Sequence, residues 1–199
     1  MPLKDYTKII TLPLGPAMLY AMALPEKYER SSSRSVERTA VAHIIEQVFG
    51  IGTELLHTPD GAPYVANTEK HISISHGGGY ALLAVCDTLP IGIDIECYRP
   101  QLKRVAAKFL APQELEIYST SESLLLQAWT SKEAIFKALG INGLTISEII
   151  LPENPDTTRF ISHSKEITLH RHILNDSMIT LAVTTQNVSD KPSHCNTQL

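Results

Sequence analysis

The chain has 199 residues, a hydrophobic fraction of 43% and a formal net charge of −4. This composition is typical of a globular protein with room for one large domain or two small ones, and the acidic balance argues against general binding to nucleic acids. The three cysteines, Cys86, Cys97 and Cys195, show no CxxC spacing. Their pattern argues against a disulfide framework and a thiolate zinc site, and it favours a reducing, cytoplasmic compartment.

The first apolar segment runs from Leu12 to Ala23 and allows two interpretations. Its end, Ala21-Met22-Ala23, resembles a signal-peptide cleavage site, but the acidic Asp5 and the interrupting Pro13 are unusual for such a signal. We therefore predict a buried strand over Ala17 to Ala23. No apolar run in the sequence approaches the roughly 18 residues of a membrane-spanning helix.

A long helix is predicted next, because seven apolar residues recur at helical spacing. They are Val36, Ala40, Val41, Ile44, Ile45, Val48 and Phe49. Basic residues precede and enter this helix, namely Lys27, Arg30, Arg34 and Arg38. Such a cluster is usually a solvated surface, whereas an anionic ligand with several phosphates would give it a binding role.

Three strands with short connections are predicted in the middle of the chain, over Ile72 to His76, Tyr80 to Cys86 and Ile91 to Glu96. Short connections favour antiparallel pairing between consecutive strands. Three glycines follow His76, and they would let the backbone approach another group closely.

The pattern breaks at Tyr98-Arg99-Pro100, the predicted boundary between an N-terminal half, residues 1–97, and a C-terminal half, residues 98–185. Residues 186–199 are predicted to form a polar tail. The second half is predicted to contain three helices, over Leu102 to Leu110, Pro112 to Tyr118 and Leu124 to Leu139. Strands are predicted over Thr145 to Ile150, Glu166 to His170 and Met178 to Thr184.

Two motifs carry the candidate chemistry. Asp94 and Glu96 alternate with isoleucines, so their side chains share one face of a strand. Trp129, Glu133 and Lys137 recur every four residues and share one stripe of a helix. Three carboxylates and a lysine converging on a partly buried spot would suit a magnesium ion that carries a phosphorylated ligand. The simpler alternatives are solvent-facing acidic residues on an edge strand and a surface ion pair between Glu133 and Lys137.

Other polar residues near these motifs are ambiguous. His76 suits either a core histidine at a strand end or, beside a phosphate site, a hydrogen-bond donor. Lys132 lies one position round the helix from the stripe, where plain solvation is the alternative to a binding role. His170 and His172 share a strand face but lack the further ligands that a zinc site needs.

These segments resemble a known family. Gly92 to Glu96 and Trp129 to Ala134, together with Lys137, resemble the two signature motifs of the 4′-phosphopantetheinyl transferases. Other segments resemble further parts of the family pattern: Pro25-Glu26-Lys27 with Arg30 and Arg38-Thr39 resemble the family's coenzyme A contacts, Gly61-Ala62-Pro63 resembles its Gly-Lys-Pro turn, and Ile72 to His76 with its glycines resembles its Ser-His-Gly segment. The resemblance runs from about Ala17 to about Thr184.

The order and spacing of these motifs are similar to those of the larger, monomeric members of the family, which activate peptide and polyketide synthetases. The resemblance implies a mixed α/β (α+β) fold. It implies two similar halves related by a pseudo-twofold axis, each with a small, mainly antiparallel sheet packed on a long helix. It also implies a monomeric enzyme of the cytoplasm that serves fatty acid, polyketide or peptide synthesis.

The reaction implied by the resemblance is the Mg²⁺-dependent transfer of 4′-phosphopantetheine from coenzyme A to a serine of an acyl or peptidyl carrier protein. Adenosine 3′,5′-bisphosphate would be the other product. Asp94, Glu96 and Glu133 would bind the metal, Glu133 would also accept the serine proton, and Lys137 and His76 would contact phosphate. Coenzyme A would be held by Lys27, Arg30, Arg38, Thr39, Ser75, His76, Lys132 and Lys137.

Two departures from the family pattern bear on coenzyme A binding. Ala62 stands where the family often has a lysine, and Ser73 stands where it commonly has an asparagine. Two alternative functions follow from the same residues. One is a catalytically silent module that holds coenzyme A or a carrier protein, and the other is a Mg²⁺-dependent pyrophosphate hydrolase.

The partner implied by the resemblance is an acidic, helical carrier domain. It would dock near the glycine-rich loop and the segment from Arg99 to Tyr118. Leu102, Val105 and Phe109 lie in that segment, where they would form either an exposed apolar strip or part of the core.

Overall fold

The computed structural model describes residues 8–25 and 33–187. Strands in this part are β1 (Ile9–Leu14), β2 (Ala17–Ala23), β3 (Leu55–His57), β4 (Pro63–Val65), β5 (His71–Gly77), β6 (Tyr80–Cys86), β7 (Ile91–Cys97), β8 (Arg159–Ser162), β9 (Lys165–Leu174) and β10 (Ser177–Asn187). Helices are α1 (Ser33–Phe49), α2 (Pro100–Val105), α3 (Pro112–Tyr118) and α4 (Glu122–Leu139), with 3₁₀ turns at Ala106–Lys108 and Ile146–Glu148. Helices combined with antiparallel sheets confirm the predicted α+β class. Within these residues, no helix has both the length and the apolar character needed to cross a membrane.

The first sheet has the strand order β1-β2-β6-β5, and its neighbouring strands are antiparallel. α1 packs on this sheet, where Ala40, Ile44 and Ile45 of the helix share a buried core with Met22 and Leu83. The segment predicted as a buried strand forms β2 with the predicted bounds. β3 and β4 form a separate hairpin.

The second sheet has the order β7-β10-β9-β8 and is also antiparallel. The helix α4 packs across it. Its first turn is capped by the Ser121 hydroxyl, which accepts a hydrogen bond from the Leu124 amide at 3.1 Å, and it ends at Gly140 in the left-handed conformation. These two signals delimit a helix in sequence as well, which is why the predicted and observed bounds agree closely.

The strand predicted over Thr145 to Ile150 is wrong, because this segment forms a 3₁₀ turn. The Glu148 carboxylate accepts hydrogen bonds from the Thr145 amide at 2.7 Å and from the Thr145 hydroxyl at 2.6 Å. This local capping box satisfies the backbone within four residues, so the segment gains little from joining a sheet.

The predicted pairing of β7 is also wrong. β7 is hydrogen-bonded to β10, with Asp94 opposite Thr180, and does not continue the run from β5 and β6. Ile93 and Ile95 on one face of β7 enter a core shared with strands of both sheets, while Gly92 on the other face meets α4. β7 is therefore covered on both faces, by that shared core and by α4. The predicted boundary at residue 98 and the pseudo-twofold relation stay predictions, and β7, which precedes that boundary, belongs to the second sheet.

Candidate active site

The site begins where α4 crosses β7 at Gly92. A β-carbon built on Gly92 would lie 2.0 Å from the carbonyl oxygen of Ala134 and 2.8 Å from the β-carbon of Lys137. Only glycine fits such a close approach between two backbones. The approach places Lys137 and Glu133 of the helix above the polar face of the strand.

Asp94 is the most enclosed of the acidic residues in the site. Its side chain is only 10% exposed, and its Oδ1 atom accepts hydrogen bonds from Lys137 Nζ at 2.9 Å and from Ser75 Oγ at 2.8 Å. Lys137 Nζ also donates to the Ile93 carbonyl oxygen at 2.8 Å. Lys137 is therefore tied to β7 by two hydrogen bonds, which fixes its ammonium group at the strand.

Glu133 is partly buried on the same stripe of α4. Burial raises the pKa of its carboxyl group, the Lys137 ammonium opposes that rise, and the negative charges of Asp94 and Glu96 add to it. The charges of both strand carboxylates therefore act on Glu133. The stripe also carries Trp129, whose ring packs edge-on against Phe109 with ring centroids 4.9 Å apart.

Glu96 lies at the outer end of the polar face of β7. Its Oε2 atom pairs with the guanidinium of Arg99, which is 63% exposed, and its Oε1 atom accepts a hydrogen bond from the Cys97 amide at 3.0 Å. Two cations, Arg99 and Lys137, thus face three carboxylates. The group retains an excess of negative charge that a further cation would stabilise.

The donor chemistry of this group fits a magnesium ion, which prefers carboxylate oxygens and shares its shell with phosphate and water. In the part of the chain that the structure describes, no group of three or more His, Cys, Asp or Glu side chains is arranged to hold a metal. The ion pairs of Asp94 and Glu96 account for this arrangement, because protein cations already engage two of the three carboxylates. The residue types fit the ion, whereas their arrangement in this structure is that of ion pairs.

A cleft of about 1170 Å³ adjoins this group through Lys137. It runs between α1, the β3–β4 hairpin, β5 and the residues that follow α4. Its basic lining residues are Arg34, Arg38, His57, His76 and Lys137, and its acidic ones are Glu37 and Asp60. His76 Nδ1 lies 3.6 Å from Glu37 Oε2, and its side chain is 54% exposed at the end of β5. A cleft with this basic lining suits an anionic ligand.

Comparison with known proteins places these residues in a family. Residues 90–184, which contain the acidic strand and the helical stripe, match the family model of the 4′-phosphopantetheinyl transferase superfamily. Through these residues, the chain is similar to that superfamily.

Individual relatives agree with this family. The chain is 28% identical to the Synechocystis protein slr0495, whose name assigns it to the 4′-phosphopantetheinyl transferases, over 67% of this chain and 61% of that protein. It is 34% identical to the 4′-phosphopantetheinyl transferase HetI of Nostoc over 42% of this chain and 38% of that protein. It is also 34% identical to a Bacillus subtilis 4′-phosphopantetheinyl transferase over 43% and 40% of the two chains. The chain thus spans less than two thirds of the length of the curated relatives it matches.

The sequence predicts either coenzyme A binding or plain solvation for Lys132, and the structure differs from both. Its side chain is fully buried, and Nζ donates to Glu114 Oε2 at 2.6 Å and to the Phe109 carbonyl oxygen at 2.7 Å. Burial lowers the pKa of Lys132, and the hydrogen bond to Glu114 opposes that change. The predicted contact between Lys132 and coenzyme A is therefore wrong, because its ammonium group is occupied inside the core.

Two further residues predicted to bind coenzyme A also have other partners. The Ser75 hydroxyl is buried against Asp94, and the Thr39 hydroxyl donates to the Ser35 carbonyl oxygen at 2.8 Å on the exposed side of α1. Neither residue lines the cleft. Lys27 and Arg30 lie outside the described residues, so their predicted contacts with the cofactor stay predictions.

Of the two alternatives for Leu102, Val105 and Phe109, an exposed apolar strip or part of the core, the structure shows the core. Leu102 and Phe109 are buried, and Val105 packs against the same core cluster. The exposed side of this segment is basic instead, with Lys103, Arg104 and Lys108 at the surface next to Arg99.

Two contacts of the site are not predicted from the sequence. The pairing of Glu96 with Arg99 could have been found from the i,i+3 spacing of opposite charges. The contact between Ser75 and Asp94 joins residues 19 positions apart. Its one sequence signal was the alternation of Ser73 and Ser75, which puts two hydroxyls on one face of β5.

Proposed function

We propose that this chain transfers 4′-phosphopantetheine from coenzyme A to a serine hydroxyl of a carrier protein. The observation that carries the proposal is the position of Lys137, which lines the basic cleft and donates a hydrogen bond to Asp94 within the acidic group. An anionic ligand in the cleft would reach the acidic group at that lysine. The match of residues 90–184 to the superfamily model and the names of the relatives support the same reaction.

The cleft would hold coenzyme A. Arg34, Arg38 and His76 would pair with its phosphates, for which arginine is well suited because its guanidinium donates two parallel hydrogen bonds. Apolar lining residues, among them Val41, Leu55, Ile72, Ile74 and Phe136, would cover the uncharged parts of the ligand. Ala62 also lines the cleft, where it contributes no charge.

The acidic group would carry out the chemistry. Asp94, Glu96 and Glu133 would hold Mg²⁺, which supplies charge neutralisation for the diphosphate when bound. Glu133 would accept the proton of the incoming serine, a task helped by its raised pKa. The serine oxygen would form a bond to the phosphorus that bears pantetheine. The bond from that phosphorus to the bridging oxygen would break, and adenosine 3′,5′-bisphosphate would leave with the electron pair, its charge neutralised by Lys137.

The acceptor would be an acidic acyl or peptidyl carrier protein of fatty acid, polyketide or peptide synthesis. The exposed basic residues of α2 and the following turn, Arg99, Lys103, Arg104 and Lys108, would attract it. Arg99 pairs with Glu96, so this surface begins at the acidic group. A carrier bound there would bring its serine close to Glu133.

The test is an incubation of the full chain with coenzyme A, Mg²⁺ and a panel of apo-carrier proteins, with the mass of each carrier as the readout. We expect the mass of at least one carrier to rise by one phosphopantetheine group. Glu133→Gln should abolish the gain, whereas Glu122→Gln, the same change at an exposed position of α4, should leave it intact.

Each other outcome contradicts the proposal. Coenzyme A binding without transfer would indicate a silent binding module, and cleavage of coenzyme A in the absence of a carrier would indicate a hydrolase. Transfer by Glu133→Gln at the wild-type rate would remove Glu133 from the mechanism.

A further inference from the structure

Two serines join the two sheets at the site. β5 is an edge strand of the first sheet and β7 is an edge strand of the second, and no backbone ladder connects them in the described part of the chain. Ser73 Oγ accepts a hydrogen bond from the Ile93 amide at 3.0 Å, and Ser75 Oγ accepts one from the Ile95 amide at 3.3 Å. Both serines are buried. They thus perform the same structural task one strand period apart.

Ser75 differs from Ser73 in a second contact. Its hydroxyl also donates to Asp94 Oδ1 at 2.8 Å, in a buried hydrogen bond. A serine hydroxyl has one hydrogen to donate, so the donor capacity of Ser75 is committed to this carboxylate. A hydrogen bond to a charged acceptor is stronger than one between neutral groups.

The two oxygens of Asp94 therefore have different environments. Oδ1 accepts from both Ser75 and Lys137, whereas Oδ2 has no hydrogen-bond partner among the described residues. A carboxylate held by one oxygen cannot rotate freely, and the lone pairs of the other oxygen stay available. Residues that orient a metal ligand from behind act in this way.

We propose that Ser75 is a positioning residue that fixes the Asp94 carboxylate through Oδ1 and keeps Oδ2 available to a divalent cation. This role rests on the proposed function, since it concerns the same acidic group. It also explains why Ser75 does not line the cleft, although it precedes His76, which does.

The matched pair Ser75→Ala and Ser73→Ala tests the role. Each change removes one hydroxyl that bridges β5 to a β7 amide, but only the first removes a contact to Asp94. The readout is the binding of Mn²⁺ to the full chain. It is measured from the electron paramagnetic resonance signal of the free ion. We expect Ser75→Ala to weaken Mn²⁺ binding by about 10–100-fold, the usual effect of losing such a supporting contact. We expect Ser73→Ala to weaken it by less than about threefold.

An isosteric pair separates the hydroxyl from the shape of the side chain. Threonine and valine have similar volumes, and only threonine has a hydroxyl. Ser75→Thr should therefore bind Mn²⁺ more tightly than Ser75→Val by the same 10–100-fold factor. In the transfer assay, the Mg²⁺ concentration at half-maximal rate should be lower for Ser75→Thr than for Ser75→Val.

The outcomes distinguish this inference from the proposed function. Wild-type protein that binds no Mn²⁺ would contradict the metal assignment and this role together. Wild-type binding with equal affinities for Ser75→Ala and Ser73→Ala would overturn the positioning role alone. A Ser75→Ala chain that loses its far-ultraviolet circular dichroism while Ser73→Ala keeps it would also overturn the role, because Ser75 would then be a structural residue.

Discussion

Gly92 and Ala134 touch backbone to backbone: a β-carbon on Gly92 would come within 2.0 Å of the Ala134 carbonyl oxygen. This contact sets the distance between the strand that carries Asp94 and Glu96 and the helix that carries Glu133 and Lys137. The geometry of the acidic group thus depends on the absence of a single side chain.

Gly92→Ala should push α4 away from β7. Overpacking of this kind costs about 1–3 kcal/mol of unfolding free energy, and the added carbon here meets backbone atoms that cannot rotate aside. We expect the melting temperature to fall by several degrees and Mn²⁺ binding to weaken in the protein that remains folded. Differential scanning calorimetry and Mn²⁺ titration measure the two effects. An unchanged melting temperature together with unchanged Mn²⁺ affinity would contradict the contact.

Glu133→Gln should stabilise the chain at neutral pH when divalent ions are chelated. The pKa of Glu133 is raised in the folded chain, chiefly by burial, so ionisation costs stability as pH rises from the ordinary glutamate range through the raised value. Glutamine cannot ionise and avoids that cost. The advantage of the variant should vanish below about pH 4, where Glu133 is protonated in both states.

Added Mg²⁺ should make the wild type more stable than Glu133→Gln. The ion would neutralise the ionised Glu133 and raise the melting temperature of the wild type more than that of the variant. Thermal melting across pH, with chelator or with Mg²⁺, measures both effects. If the variant is less stable than the wild type in chelator, ionisation of Glu133 does not destabilise the folded chain, and the prediction is contradicted.

Lys132→Met should destabilise the fold by about 3–5 kcal/mol, because it leaves Glu114 buried without its counter-charge. Glu114 also accepts hydrogen bonds from the Leu151 and Ala111 amides, both at 2.7 Å. The double variant Lys132→Met/Glu114→Gln should recover most of the loss, since the side-chain oxygen of glutamine can still accept from one of these amides. Urea denaturation is the measurement.

The exposed pair of Lys70 and Asp87 is the control for this prediction. Lys70→Met removes one partner of an ion pair at the surface, where water replaces it, so the urea midpoint should hardly change. Equal losses of unfolding free energy in Lys132→Met and Lys70→Met would show that burial of the pair of Lys132 and Glu114 has no energetic consequence.

Arg99→Gln should strengthen divalent cation binding. The Arg99 guanidinium competes with a metal ion for Glu96, and it is largely exposed. Releasing a pair of this kind should tighten Mn²⁺ binding by about 2–5-fold, the range of exposed ion pairs. Arg104→Gln, an exposed position on α2, removes the same charge without a contact to Glu96 and is the control. Equal Mn²⁺ affinities for these two variants would contradict direct competition.

Lys103→Glu should raise the KM for an acidic carrier protein while kcat stays nearly constant. The reversed charge would weaken the encounter with the carrier, by about 2–5-fold at low salt, and the effect should fade as ionic strength rises. Lys8→Glu makes the same charge change at the exposed residue that precedes β1 and should leave KM unaltered. A salt-independent effect, or equal effects of both variants, would argue against docking on α2.

Local signals made part of this molecule predictable. The alternation of Asp94 and Glu96 with isoleucines and the four-residue spacing of Trp129, Glu133 and Lys137 are decided within single elements, and the structure has that strand and that helix. The Thr145-x-x-Glu148 capping box was equally local. The apolar residues around it favour a strand, but the cap outweighs them.

Other features depend on contacts between distant segments. The partner of Lys132 is Glu114, 18 positions earlier on another helix, and no spacing rule links the two. The pairing of β7 with β10, instead of with the first sheet, depends on how α4 and the strands pack together. Spacing within one element says which side chains share a face, and packing between elements says what that face contacts.

The meeting of β5 and β7 has a consequence for association between chains. A free strand edge offers unpaired amides and carbonyls to any other extended peptide, which promotes aggregation. Here two of the four edges of the four-stranded sheets shield each other through Ser73 and Ser75. Of the outer edges, β1 contains Pro13 and β8 has only four residues, both features that discourage templated strand addition.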